Sequence, residues 1–243
     1  MYLIITRSFP PEVGGMQNLM WGLANELSKD YMIKVFADLH KKHKSFDEKV
    51  SFSIERVGGI KFFRKYRKAQ LINEFAKENK IKGVIADHWK SLELIKTNKK
   101  KICLIHGKEI NHPKGTNLNK RVLNVLNNVE RVVANSQYTK ELAIKCGVVE
   151  SKIIVINPGV DLVQELDEKI INKVEILLKQ KSPRLITVSR FDKRKNHEKV
   201  IMALRNLKQV YPNIIYICIG FGDEKQNIKK LVEELDLKEQ VMF

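Results

Sequence analysis

Apolar and β-branched residues gather along this chain in short runs, separated by stretches in which the apolar positions recur every three or four residues. The runs fall at 2–6, 33–37, 50–54, 83–86, 102–105, 131–134, 153–156, 185–188 and 214–219. Short, almost continuous apolar runs predict strands buried on both faces. Their alternation with helix-patterned stretches predicts an α/β protein with parallel sheets covered by helices. The helix after the first run places Leu19, Leu23, Ala24 and Leu27 on one face. The helix after 185–188 places Val200, Ile201, Ala203, Leu204, Leu207 and Val210 together, with Asn196 as its N-cap. Ser136 caps the helix that follows 131–134, and residues 157–161 form a turn after a strand.

Composition supports this picture. The chain has 243 residues, 43% hydrophobic content, 12 Gly and 6 Pro, enough for a real core and too apolar for disorder. The formal net charge of +17 is spread along the chain rather than packed into one block. It predicts attraction to anions such as nucleotide phosphates or anionic lipid more than to a specific nucleic acid. Cys103, Cys146 and Cys218 lack the short spacing of a zinc site or redox pair and are expected to be buried thiols. The chain starts on a strand without a leader pattern, and no run reaches the length of a membrane span, so the cytoplasm is the expected compartment.

Candidate chemistry gathers where strands end, the edge at which ligands collect in open α/β sheets. The run 185–188 turns abruptly polar, which puts Arg190 at a strand exit and Lys195 at the mouth of the next helix. A guanidinium and an ammonium beside unpaired helix N–H groups suit a diphosphate, although such a pair also arises by chance in a Lys-rich chain. After residue 6 comes a loop stiffened by Pro10 and Pro11 and tipped by Gly14 and Gly15. Its glycines would let backbone N–H groups approach a ligand, and a plain tight turn is the competing reading. His106 follows the strand at 102–105 and His88 the strand at 83–86; either is a ligand contact or an ordinary hydrogen-bonded histidine.

Taken in order, these pieces resemble a family-4 (group 1) glycosyltransferase of the GT-B fold. The matching residues are the loop from Pro10 with Gly14-Gly15-Met16-Gln17, His106-Gly107-Lys108-Glu109, Asn135-Ser136 with Thr139, Asn157-Pro158-Gly159-Val160-Asp161, Ser189-Arg190 with Lys195, and Ile219-Gly220-Phe221-Gly222. The resemblance implies two Rossmann-like domains with the active site in the cleft that they form: residues 1–165 on the acceptor side, a linker at 166–182, and a partial nucleotide-sugar-binding domain at 183–243. It implies that Arg190 and Lys195 hold the donor diphosphate, that His106 contacts the donor sugar, and that Gly14, Gly15, Gln17, Gly220 and Gly222 complete the donor site. The donor would be a UDP-, GDP- or ADP-sugar and the acceptor a lipid-linked or glycan hydroxyl, with retained anomeric configuration and neither metal nor cofactor. The absence of Asp-x-Asp fits a metal-independent enzyme. Asn196-His197 stands where the family commonly has a glycine. The chain stops at Phe243, before the family's paired-glutamate segment, so an incomplete second domain with open apolar edges and poor turnover is expected.

Three alternatives stand beside this reading. One is a non-catalytic fragment or remnant of such an enzyme, and another a GT-B epimerase or phosphorylase. The third is a basic nucleic-acid-binding α/β protein, suggested by the stretch 61–68, in which Phe62, Phe63 and Tyr66 alternate with Lys and Arg. That stretch continues into a helix pattern through Leu71, Ile72, Phe75 and Ala76, so its aromatics are expected to pack inward, and its basic residues to offer peripheral contact with anionic lipid.

Overall fold

The structure is a computed structural model that describes residues 1–160 and 165–243. The chain divides into two compact units, Met1–Asp161 and Leu162–Phe243.

The first unit runs β1 (Tyr2–Ile5), α1 (Gly15–Asp30), β2 (Ile33–Asp38), α2 (Lys44–Asp47), β3 (Ser53–Val57), α3 (Lys61–Glu78) and β4 (Gly83–Ala86). It continues through α4 (Trp89–Leu92), β5 (Lys100–Ile105), α5 (Asn117–Leu126), β6 (Arg131–Ala134), α6 (Gln137–Cys146) and β7 (Ile153–Val155). Its seven strands form one parallel sheet in the order β3-β2-β1-β4-β5-β6-β7. Strand β1 pairs with both β2 and β4, so the winding direction reverses there. Successive residues of β1 explain why both faces must be covered: Leu3 and Ile5 enter one core with Ile72, Trp89 and Val122, while Ile4 enters another with Met20, Ala24 and Val35. Each such fully buried side chain contributes about 1.5–3 kcal/mol of burial free energy.

The second unit runs α7 (Glu168–Leu177), β8 (Arg184–Val188), α8 (His197–Val210), β9 (Ile215–Ile219), α9 (Lys225–Glu234) and β10 (Val241–Met242). Its parallel sheet has the order β10-β9-β8. Ile201 and Leu204 of α8 and Ile228 and Val232 of α9 pack with Tyr216 and Cys218 into one core. Ile186, Val188 and Ile219 are instead exposed, so apolar strand positions are left open to solvent as well as sheet edges.

The pattern located most strands to within a residue or two, with one clear exception. The strand expected at 50–54 is β3 at Ser53–Val57, in register with β2 from Lys34↔Ser53 to Asp38↔Val57. Val50 and Phe52 are apolar because they pack into the second core ahead of the strand. The core face of α1 is Met20 and Ala24, with Leu23 and Leu27 packed only partly and Leu19 half-buried. On α8, Ala203 and Val210 are exposed. Ser136 caps α6 as expected, its hydroxyl accepting from the Thr139 N–H at 3.2 Å. Asn196 does occupy the N-cap position of α8, but in a left-handed conformation (φ 57°) and with no side-chain cap. The expected turn at 157–161 extends into residue 161, which lies outside the described residues. Phe62, Phe63 and Tyr66 do not pack inward: they are 72, 63 and 55% exposed, because α3 buries Ala69 and Ile72 instead. All three cysteines are free and buried, as expected.

Candidate functional site

In the first unit the carboxyl ends of β1, β2 and β4 carry a polar network built into the core. Thr6 follows β1 and is fully buried; its hydroxyl donates to Asp87 Oδ2 at 2.6 Å, and the Arg7 N–H reaches the same oxygen at 3.4 Å. Asp87 follows β4, and burial raises its carboxyl above the usual range against the pull of those hydrogen bonds. Lys68 of α3 is 6% exposed; its ammonium donates to the Thr6 carbonyl at 2.8 Å and to Asp38, the last residue of β2. Desolvation lowers the Lys68 pKa, opposed chiefly by Asp38. Asp38 also pairs with Arg64 at 2.9 Å. His88, the residue after Asp87, accepts from the Lys90 N–H at 3.0 Å. Its imidazole is pushed down to about 4, first by burial and then by the charges of Arg7, Lys90, His106 and Lys65.

His106 leaves β5, and its backbone N–H donates to Glu109 Oε1 at 2.6 Å, so the His-Gly-x-Glu spacing closes its own turn. The Trp89 indole N–H, reaching the Glu109 carbonyl at 2.8 Å, fixes that turn to α4. His106 Nε2 is buried without a hydrogen-bond partner, a donor or acceptor left for something else. Gly14 precedes α1 and Gly15 begins it; no side chain caps this helix, and its first turn holds no acidic residue. Gln17 is buried and folds back over Gly14, where a methyl group would strike the Gln17 amide, while a methyl group on Gly15 would meet nothing within 4 Å.

In the second unit, Arg190 follows β8 and Lys195 ends a 3-10 turn (Lys193–Lys195) that opens into α8. The Arg190 side chain is 64% exposed, and its nearest carboxylate oxygen, on Asp192, is 3.9 Å away. The other Asp192 oxygen is buried and unpartnered. The loop is held by backbone: the Ser189 N–H donates to the Ile219 carbonyl at 3.0 Å and the Phe191 N–H to the Phe221 carbonyl at 2.8 Å. A Cβ on Gly220 would overlap the Ser189 carbonyl, and one on Gly222 the Phe191 carbonyl. These glycines therefore allow two loops to lie against each other at the carboxyl edge. Buried Phe191 stacks on the imidazole of buried His197 at 4.5 Å and 14°. The left-handed Asn196 between Lys195 and His197 adopts a conformation that glycine supplies freely and Asn tolerates.

The structure thus places Arg190, Lys195, Gly220 and Gly222 on neighbouring loops of one sheet edge, and, in the first unit, Gly14 and His106 on loops with Gly15 and Gln17 in the first turn of α1. Sequence reasoning missed Asp38, Lys68, Asp87 and Asp192. A signal existed for three of them: Asp38 and Asp87 each end an apolar run, and Lys68 stands four residues before Ile72 on the buried stripe of α3. Among the described residues, no helix is long and apolar enough to cross a membrane.

Two Rossmann-like parallel units, each with its polar loops at the carboxyl ends of the strands, are a GT-B architecture. Residues 13–164 match Glycosyltransferase Family 4 and residues 168–243 match Glycosyl transferases group 1; the chain belongs to glycosyltransferase family 4. In fold it is similar to Anabaena HepE in complex with UDP, at a TM-score of 0.79 and 18% identity over 100% of this chain and 68% of that one. It is also similar to sucrose-phosphate synthase from Thermosynechococcus elongatus, at a TM-score of 0.75 and 15% identity over 100% of this chain and 69% of that one. A GDP-mannose-dependent alpha-(1-6)-phosphatidylinositol monomannoside mannosyltransferase of Mycolicibacterium smegmatis is 22% identical over 99% of this chain. The chain spans 66% of that relative's length.

Proposed function

We propose that this chain carries the nucleotide-sugar site of a glycosyltransferase that moves a sugar to a hydroxyl of a lipid or glycan acceptor. The observation that carries the reading is the pairing of exposed Arg190 with Lys195 at a strand exit and helix mouth, on loops locked by Gly220 and Gly222. A diphosphate seated there would meet two cations and the unpaired N–H groups of α8. Gly14, Gly15 and Gln17 give backbone and amide contacts to the donor, and the free Nε2 of His106 takes a hydroxyl of the donor sugar. HepE was solved with UDP and with UDP-glucose, and the mycobacterial relative is named for GDP-mannose, which supports a UDP- or GDP-sugar as donor; an ADP-sugar is the third donor proposed.

In the reaction proposed, the bond from the anomeric carbon to the diphosphate breaks while the acceptor oxygen bonds to the same face of that carbon. The acceptor proton passes to an oxygen of the departing phosphate, so configuration is retained and neither metal nor cofactor is needed. Arg190 and Lys195 then stabilise the charge that builds on the leaving group, the preorganised electrostatic effect that dominates such steps. Arg190→Ala or Lys195→Ala should raise the barrier by about 3 kcal/mol, a loss of about a hundredfold in kcat/KM. The check is transfer from UDP-, GDP- and ADP-sugars, with NMR assignment of the product anomer; unchanged rates in both variants, or an inverted anomer, would contradict the reading.

A peripheral contact with anionic membrane at the cytoplasmic face is proposed on a separate observation, the exposure of Phe62, Phe63 and Tyr66 beside Arg64, Lys65 and Arg67 on α3. Basic residues at such a surface contribute about 1 kcal/mol each. Flotation with neutral and with anionic vesicles checks this, and equal recovery with both would remove it.

A further inference from the structure

We infer that a cleft on the carboxyl edge of the first unit binds a phosphate ester, so that the acceptor carries a phosphate near the hydroxyl to be glycosylated. To name the ligand an acceptor rests on the transferase reading, whereas the anion site stands on the cleft alone. The cleft encloses about 1070 Å3, ample for a phosphorylated sugar or a lipid headgroup. Its walls carry Arg7, Arg64, Lys65, Lys68, Lys90 and Arg121, against the carboxylates of Asp38 and Glu12.

The partners of these cations decide the matter. Asp38 is shared by Arg64 and Lys68, and Glu93 by Lys65 and Arg121. Arg121 first, then Lys65, hold the Glu93 carboxyl down at about 2, so each carboxylate serves two cations. Among the described residues, neither Arg7 nor Lys90 forms an ion pair. A concave wall of one predominant sign focuses the field and favours an anion.

The cations also come from different directions. Arg7 stands in the loop after β1, Arg64, Lys65 and Lys68 on α3, Lys90 on α4 and Arg121 on α5. Cations supplied by four elements around one cleft suit a tetrahedral oxyanion with several oxygens better than a flat carboxylate gripped from one side. At the lip, Ile60 and Phe62 are each 72% exposed and Tyr66 is 55% exposed, an apolar seat for the organic part of the ester.

The test uses the full chain with UDP present at saturation, so that a phosphate probe cannot report on the nucleotide site. Glucose 6-phosphate and glucose are titrated by calorimetry, and vesicles of phosphatidylglycerol in phosphatidylcholine are compared with phosphatidylcholine alone, for the wild type and for Arg7→Gln/Lys90→Gln. At least one phosphate-bearing probe should bind in preference to its neutral control, and the double variant should bind it about tenfold more weakly while its UDP affinity stays unchanged. Binding of the soluble ester identifies a phosphorylated glycan as the source, and binding of the anionic vesicles alone identifies a lipid headgroup; either supports the site. Equal binding by wild type and double variant, or no preference of the wild type for either phosphate probe, overturns it. Loss of UDP binding in the wild type would instead count against the transferase reading.

Discussion

The two units carry their polar residues at the same place, the carboxyl edge of a parallel sheet, but hold them by opposite means. In the first unit the charges are sunk into the fold: Lys68 and Asp87 are almost fully buried, and each is tied to Thr6. In the second, Arg190 stands in solvent, and what is rigid beneath it is backbone, with Gly220 and Gly222 against the carbonyls of Ser189 and Phe191. A buried network couples its ligand surface to stability, because any missing partner leaves a charge stranded in low dielectric. A glycine-packed loop separates the two, so its cations can be exchanged without harm to the fold.

The sharpest way to break this contrast is Asp38→Ala, which strips the buried Lys68 ammonium of its carboxylate. It should cost about 3 kcal/mol of unfolding free energy, whereas Arg190→Ala should stay within about 0.5 kcal/mol of wild type. Lys68→Met, which removes the buried charge and leaves Asp38 to Arg64, should cost less than Asp38→Ala. Urea unfolding followed by a probe of the first unit decides this, and equal effects for Asp38→Ala and Arg190→Ala would show that the network is not the tether described.

In the second unit the sensitive positions should be glycines. Gly220→Ala must push apart the loops that carry Arg190, at a cost of about 2 kcal/mol in stability. Gly15→Ala, which meets nothing within 4 Å, should stay within about 0.5 kcal/mol of wild type even though Gly15 is also a candidate donor contact. A thermal shift for Gly15→Ala as large as that for Gly220→Ala would erase the distinction.

At neutral pH the contrast has one further consequence that is silent and emerges only in acid. His88 titrates at about 4 in the folded chain, below its ordinary value of 6.5. Above 6.5 the histidine is neutral in both states and has no effect; as pH falls from 6.5 towards 4 only the unfolded chain takes up the proton, and stability declines by up to about 3 kcal/mol. His88→Asn keeps a side-chain acceptor at the cap and should flatten that part of the profile. A decline of equal steepness in the variant would assign it to other groups.

The contrast also explains what was legible in the sequence. Strands such as β1 and β4 could be read because residues buried on both faces leave uninterrupted apolar runs. β3 was displaced because Val50 and Phe52 are apolar for reasons of packing outside the sheet. Arg190 and Lys195 were visible because an exposed site beside a strand end breaks the hydrophobic pattern abruptly. Lys68 carried only the weak sign of its spacing to Ile72, and on a helix of many basic residues its role shows only once Thr6 and Asp38, 62 and 30 residues away in sequence, are brought beside it. The exposed aromatics of α3 misled for a related reason: periodicity tells which residues share a face, and only the packed neighbours tell which face is covered.

The central claim is that Arg190 and Lys195 form a diphosphate subsite on a scaffold that does not depend on them. It is tested by calorimetric titration of UDP and GDP into the wild-type chain, Arg190→Ala and Lys195→Ala, with thermal unfolding measured on the same samples. The account predicts that the wild type binds at least one of the nucleotides and that each variant binds it at least about tenfold more weakly, with the unfolding midpoint unmoved. Nucleotide affinity unchanged in both variants, or lost only in step with the unfolding midpoint, would contradict it.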